Sequence, residues 1–164
     1  MISFFIFYLI GVPVSILLHE VGHALGITLF TKEKAHVYLG PANDNNEENF
    51  RIGRMHFHIK WAFFGFCFVK NRSDFTSFKS IMFSAGGPII SLLLCIAAYL
   101  VSADLTHYGT KNFLNGIIYF NLILFIFTSI PITYPNWWKP KPYAGRPSDG
   151  YQILTALKSK NNSR

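Results

Sequence analysis

The chain has 164 residues, of which 51% are hydrophobic and only 14% charged, with a mean hydropathy of +0.28 and a formal net charge of +7. That is one domain's length, and soluble domains carry about 25% charged residues, so a soluble globular protein is disfavoured and a lipid bilayer is the expected surroundings. No basic stripe or nucleic-acid module accompanies the excess Lys and Arg, so no nucleic-acid partner is expected and the charge reads as membrane topology.

Residues 2–30 form the first predicted element. They are apolar apart from small residues and a cluster around His19, and at 1.5 Å per residue a helix of that length crosses a hydrocarbon core of about 30 Å. A secretory signal peptide fits poorly, because the basic leading region is missing, the apolar run is too long and charge stands in its middle. Pro13, between one and two turns before His19, is placed to bend this helix and open a water path, the alternative being one of the bends common in membrane helices without any such role. The stretch 31–49 is polar and, with Pro41 and the run from Asn43 to Asn49, reads as loop. Polar and apolar residues partly alternate from Phe50 to Lys60, and Trp61 to Val69 is an aromatic run too short to span, which predicts a small β-hairpin or sheet near the membrane surface.

Residues 81–103, with Gly86-Gly87-Pro88 near their start, form a second span, and residues 113–133, with Pro131 near their end, a third. After it, the prolines and Trp137-Trp138 between Tyr134 and Pro147 suit an extended interfacial loop, and a short helix is expected from Asp149 to about Lys158. The expected fold class is therefore an all-α membrane protein, one membrane-embedded domain over 1–164, with a three-transmembrane-helix core and a small β-hairpin or sheet between helices 1 and 2. Of the fifteen basic residues, fourteen fall in 31–80 or 134–164 and only Lys111 in the short connector 104–112. The positive-inside rule then makes 31–80 a cytoplasmic loop and 134–164 a cytoplasmic tail, with the His19 and His23 half of the first helix opening toward the cytoplasm.

The chemistry resides in His19-Glu20-Val21-Gly22-His23. Residues four apart in a helix are separated by about 400° of rotation and roughly 6 Å of rise, so the two imidazoles project from one face and can grip one Zn²⁺. Glu20 follows the first ligand, beside the metal rather than on it, where a carboxylate can relay a proton from water to a leaving amine. An ionisable residue at the centre of a membrane helix costs roughly 2.5–3.5 kcal/mol, and a purely structural span would avoid three polar groups within a turn and a half. Zinc needs a further protein ligand. Glu33, Asp44, Glu47, Glu48 and Asp74 belong to the solvated middle loop and Asp104 to the outer connector, which leaves Asp149 best placed. Ser148 and Gly150 permit a tight turn there, and Tyr151, Ile153, Leu154 and Leu157 can pack the next helix on the bundle. An N-cap, a role Asp strongly favours, is the alternative for Asp149.

With Gly87-Pro88 in a second span and Asp149-Gly150 after a third, the motif resembles the site-2-protease family of intramembrane zinc metalloproteases, over nearly the whole chain. The resemblance implies a three-helix catalytic core, membrane-associated strands in the middle segment, zinc held by His19, His23 and Asp149, and Glu20 as the catalytic acid/base. It further implies hydrolysis of peptide bonds in or near transmembrane segments of a membrane-protein substrate. The chain departs from the family at Ser91 and Thr128, where asparagine is frequent, and in its longer interval from Pro131 to Asp149. The alternative function is a non-peptidase membrane protein that retains the zinc site as a binding or scaffold module. A soluble-type zincin with an N-terminal anchor conflicts with the apolar flanks Ile10 to Leu18 and Ala24 to Phe30.

Among the remaining polar residues, His56 and His58 would share a strand face, and a polar interfacial face is expected rather than a second metal site because no third ligand is evident nearby. His36 and His107 read as solvated loop residues, and Trp61, Trp137 and Trp138 as interfacial anchors. Cys67 and Cys95 lie far apart in apolar surroundings, so neither a disulfide nor a thiolate metal site is expected.

Overall fold

A computed structural model describes residues 2–43, 45–70, 72–137 and 143–162. Asp44, weighed above as an acidic candidate, and Trp138, weighed as an anchor, lie outside the described residues, as do 139–142 of the expected interfacial loop. The protein is mostly helical. Three helices, α1 (Ile2–Thr28), α2 (Ser77–Ala103) and α3 (Tyr108–Ser129), are each long and apolar enough to cross a membrane. A fourth, α4 (Asp149–Asn162), follows. Many of their large apolar side chains are exposed, among them Leu93, Leu100, Ile123 and Phe127, which suits helices solvated by lipid rather than water.

The helix ends follow from local chemistry. In α1 a π-helical turn over Phe7–Gly11 comes just before Pro13, whose missing N–H leaves the preceding turn without a normal donor. At its other end Arg54 donates to the Thr28 carbonyl, a cation placed at the negative end of the helix dipole. Helix α2 starts four residues before the predicted 81 because the Thr76 side chain caps it, accepting from the Lys79 N–H. Helix α3 is displaced from the predicted 113–133 in the same direction. His107, expected to be an idle loop residue, accepts from the Thr110 N–H as the N-cap, and the helix stops at Ser129 because Ile130, which precedes Pro131, is extended.

The segment between α1 and α2 is a four-stranded mixed sheet of β1 (Ala35–Leu39), β2 (Phe50–Ile52), β3 (Met55–Ile59) and β4 (Gly65–Phe68), in the order β2-β3-β1-β4. The expectation of loop over 31–49 is thereby corrected, since β1 lies inside it and occupies the middle of the sheet, parallel to β3 and antiparallel to β4. Its residues alternate, with Ala35, Val37 and Leu39 buried and His36 and Tyr38 half-buried, the pattern of a strand packed on one face. Together with Phe57 and Val69 of the sheet region, Ala35 and Val37 meet Ala24 and Ile27 of α1 and Phe83 of α2 in the main core cluster.

Helices α1 and α2 touch backbone to backbone. A Cβ at Gly22 would meet the Gly86 carbonyl, and one at Gly86 would meet the Gly22 carbonyl, so each glycine leaves room for the other's main chain. Gly22→Val is expected to destabilise the protein by about 3 kcal/mol, as overpacking does, read as a lowered thermal midpoint in detergent. An unchanged midpoint would show that the helices do not cross at this point.

Candidate metal centre

Beside this crossing α1 and α4 bring three donors together. His19 and His23 are one turn apart on α1, both buried, with their Nε2 atoms 3.2 Å from each other. The Asp149 Oδ2 atom at the start of α4 is 3.6 Å from His19 Nε2 and 3.4 Å from His23 Nε2. Among the described residues this is the one group of three His, Cys, Asp or Glu side chains whose donor atoms converge within 4.8 Å, and it could hold a metal ion.

His23 Nδ1 is 2.8 Å from the Phe83 carbonyl, which only accepts, so the proton belongs on Nδ1 and Nε2 carries a lone pair. The same tautomer at His19, with Nδ1 donating to Ser91 Oγ at 2.8 Å, leaves its Nε2 bare as well. Two lone pairs and a carboxylate oxygen then face one another in a buried space, an arrangement that is repulsive unless a cation lies between them. Two imidazoles and one carboxylate form a donor set of the kind found in zinc sites.

Each wall of the site has a local cause. Ser148, not Asp149, takes the capping role, since its hydroxyl accepts from the Tyr151 N–H at 3.2 Å and donates to the Ile130 carbonyl at 2.6 Å. The N-cap alternative for Asp149 is thus overturned, and its carboxylate is free to face the imidazoles. Gly87 forms the floor, where an added Cβ would run into Nε2 of both histidines. Glu20 is buried beside the cluster and outside it, with the Cys67 main-chain N–H facing its carboxylate.

Ser91 and Thr128 acquire definite places. Ser91 touches His19, and it is one turn beyond Gly87 on the same face of α2, a spacing that could have flagged it. Ser91→Ala is expected to weaken metal affinity about 10-fold or more, the usual cost of losing a group that orients a ligating histidine, as measured by competition with a chelator. Affinity equal to wild type would mean that Ser91 does not orient His19. The Thr128 hydroxyl is turned back on its own helix, donating to the Leu124 carbonyl at 2.8 Å.

The other acidic candidates lie elsewhere. Glu33 pairs with Lys79, Glu48 with Arg51 and His56, and Asp104 ends α2. His56 and His58 do share a strand, and both are buried. His58 Nδ1 donates to the Asn46 carbonyl, and its Nε2 lies 3.1 Å from His36 Nδ1, so His36 belongs to this cluster and not to a solvated loop. Burial, followed by the His56 and His58 imidazoles, lowers the His36 pKa. Trp61 and Trp137 are exposed, and Cys67 and Cys95 are free thiols.

A residue that sequence reasoning missed is Tyr143. The chain leaves α3 along Ile130 to Tyr134 and returns through Tyr143 to Ser148, with Thr133 bridged to Pro147, and Tyr134 and Arg146 joined by a 2.9 Å main-chain bond. This return places the Tyr143 hydroxyl on Gly65 of β4, next to Glu20. No family model, curated protein or solved structure matches the chain significantly, so the reading of the site rests on its geometry.

Proposed function

We propose that the chain is an intramembrane zinc metalloprotease that hydrolyses peptide bonds in or near transmembrane segments of membrane proteins. The observation that carries the reading is the convergence of His19 and His23, on a helix apolar enough to cross a membrane, with Asp149 from the start of α4, and with Glu20 alongside. Zinc would be held by the Nε2 atoms of His19 and His23 and by the Asp149 carboxylate. When bound, it supplies Lewis acidity and makes water acidic enough to act as a nucleophile near neutral pH.

The chain's own residues supply the rest. Glu20 accepts a proton from the attacking water and passes it to the leaving nitrogen as the C–N bond breaks, so the hydroxyl stays on the acyl product and the amine departs neutral. Ser91 and the Phe83 carbonyl keep both ring Nδ1 positions occupied, fixing the ligands' orientation. Burial of all these groups limits bulk water around them. The distribution of Lys and Arg supports a multi-pass topology with the site toward the cytoplasm.

The test is incubation of the detergent-purified protein with transmembrane-segment peptides. Cleavage that a zinc chelator stops and added zinc restores is expected. Protein that holds zinc yet cuts no such peptide would overturn the protease reading in favour of a binding or scaffold module.

A further inference from the structure

We propose that Tyr143 is an autoinhibitory latch, whose hydroxyl occupies the main-chain groups of Gly65 that an extended substrate segment takes when it enters the site. The inference rests on the protease reading and adds to it the regulation of the same site. Among the described residues strand β4 is the sheet's outer strand on this side and pairs only with β1, in the register Leu39↔Gly65 and Val37↔Cys67. Alternate residues of an antiparallel strand turn both main-chain groups outward. At Gly65 both go to a single side chain, with the N–H donating to Tyr143 Oη at 3.2 Å and that hydroxyl donating to the Gly65 carbonyl at 2.5 Å. A neighbouring strand would ordinarily satisfy such a pair, and here one phenol stands in for it.

The place is what gives the contact a consequence. A Cβ at Gly65 would lie 3.1 Å from Glu20 Cγ and 3.1 Å from a methyl of Ile16, so this edge residue adjoins the proposed catalytic carboxylate and leaves no space for a side chain. Two residues on, the outward N–H of Cys67 faces Glu20 itself. The outward main chain of β4 thus runs along the site. A peptide bond in a membrane helix is already hydrogen-bonded within the helix, so attack requires an unwound segment, whose freed N–H and C=O groups need partners in an apolar surrounding. Gly65 presents one donor and one acceptor for that purpose, at the distance of one residue from Glu20. Tyr143 holds them in the absence of substrate. It stays a donor, because burial pushes the phenol above its ordinary range. Its backbone is fixed by the return of the chain, where the Gly145 N–H bonds the Tyr134 carbonyl at 3.0 Å and the Arg146 N–H bonds the Tyr143 carbonyl at 3.0 Å.

Tyr143→Phe removes both hydroxyl bonds and keeps the ring. It is expected to raise kcat/KM for a transmembrane peptide with a Gly-Pro break by about 5- to 10-fold, mainly through a lower KM, the scale of one net hydrogen bond. Zinc content should equal wild type. A fall in kcat would overturn the latch and make the hydroxyl part of the catalytic machinery, and an unchanged KM would overturn it equally. A second measurement separates this proposal from the protease reading. In a Glu20→Gln background, Tyr143→Phe is expected to tighten binding of the Gly-Pro peptide by the same factor, with no gain for an unbroken Ala-Leu helix. Equal or weaker binding, or no binding by either variant, would sink the latch whether or not the wild-type protein cleaves anything.

Discussion

Glu20→Gln is expected to lower peptide hydrolysis by about 10²–10⁴-fold while leaving zinc in place. The substitution keeps size and shape in a buried position, and Glu20 is not one of the three converging donors, so neither packing nor metal retention depends on its charge. What the amide lacks is the ability to take a proton from water and return it to the leaving nitrogen. Cleavage rate and metal content measured on the same preparation separate the two effects. A variant that cuts within twofold of wild type would remove Glu20 from the mechanism, and one that loses its zinc would place Glu20 among the ligands.

Gly87→Ala is expected to empty the metal site without harming the helix that carries it. An added methyl would press on Nε2 of both His19 and His23, in the space where the cation belongs. In the middle of α2 alanine is otherwise favourable, by about 1 kcal/mol over glycine, so propensity alone would make the variant more stable. Helical content by circular dichroism should be kept, and metal content and hydrolysis should both fall by at least about 10-fold. Wild-type metal content in this variant would show that the histidine rings do not point at Gly87.

The spans and the motif were legible because each is a local pattern. About twenty consecutive apolar residues announce a membrane helix, and His19 and His23 share a face by helical geometry alone. Strand β1 was hidden because His36 and Tyr38 fill its second face, making a polar-looking stretch out of an alternating one, and because its partners β3 and β4 lie about twenty residues or more along the chain. The end of α3 at Ser129 was readable in principle from the residue before Pro131. Ser148 and Asp149 are both good N-caps, and composition cannot say which of two neighbours takes the role; only the packing of α4 on the end of α3 decides it. The contacts of Ser91 with His19 and of Tyr143 with Gly65 join residues more than seventy positions apart, and no spacing within one element encodes them.

The expectations for metal content and hydrolysis depend on a divalent ion between His19, His23 and Asp149. The most direct test is the metal content of detergent-purified wild-type protein beside Asp149→Ala and His23→Ala, prepared identically and shown to keep their helical content. Wild type should carry about one zinc per chain, as a site with three protein ligands and one open position would, and both variants should carry little. Zinc absent from folded wild type, or present equally in all three, would contradict a metal centre at this crossing.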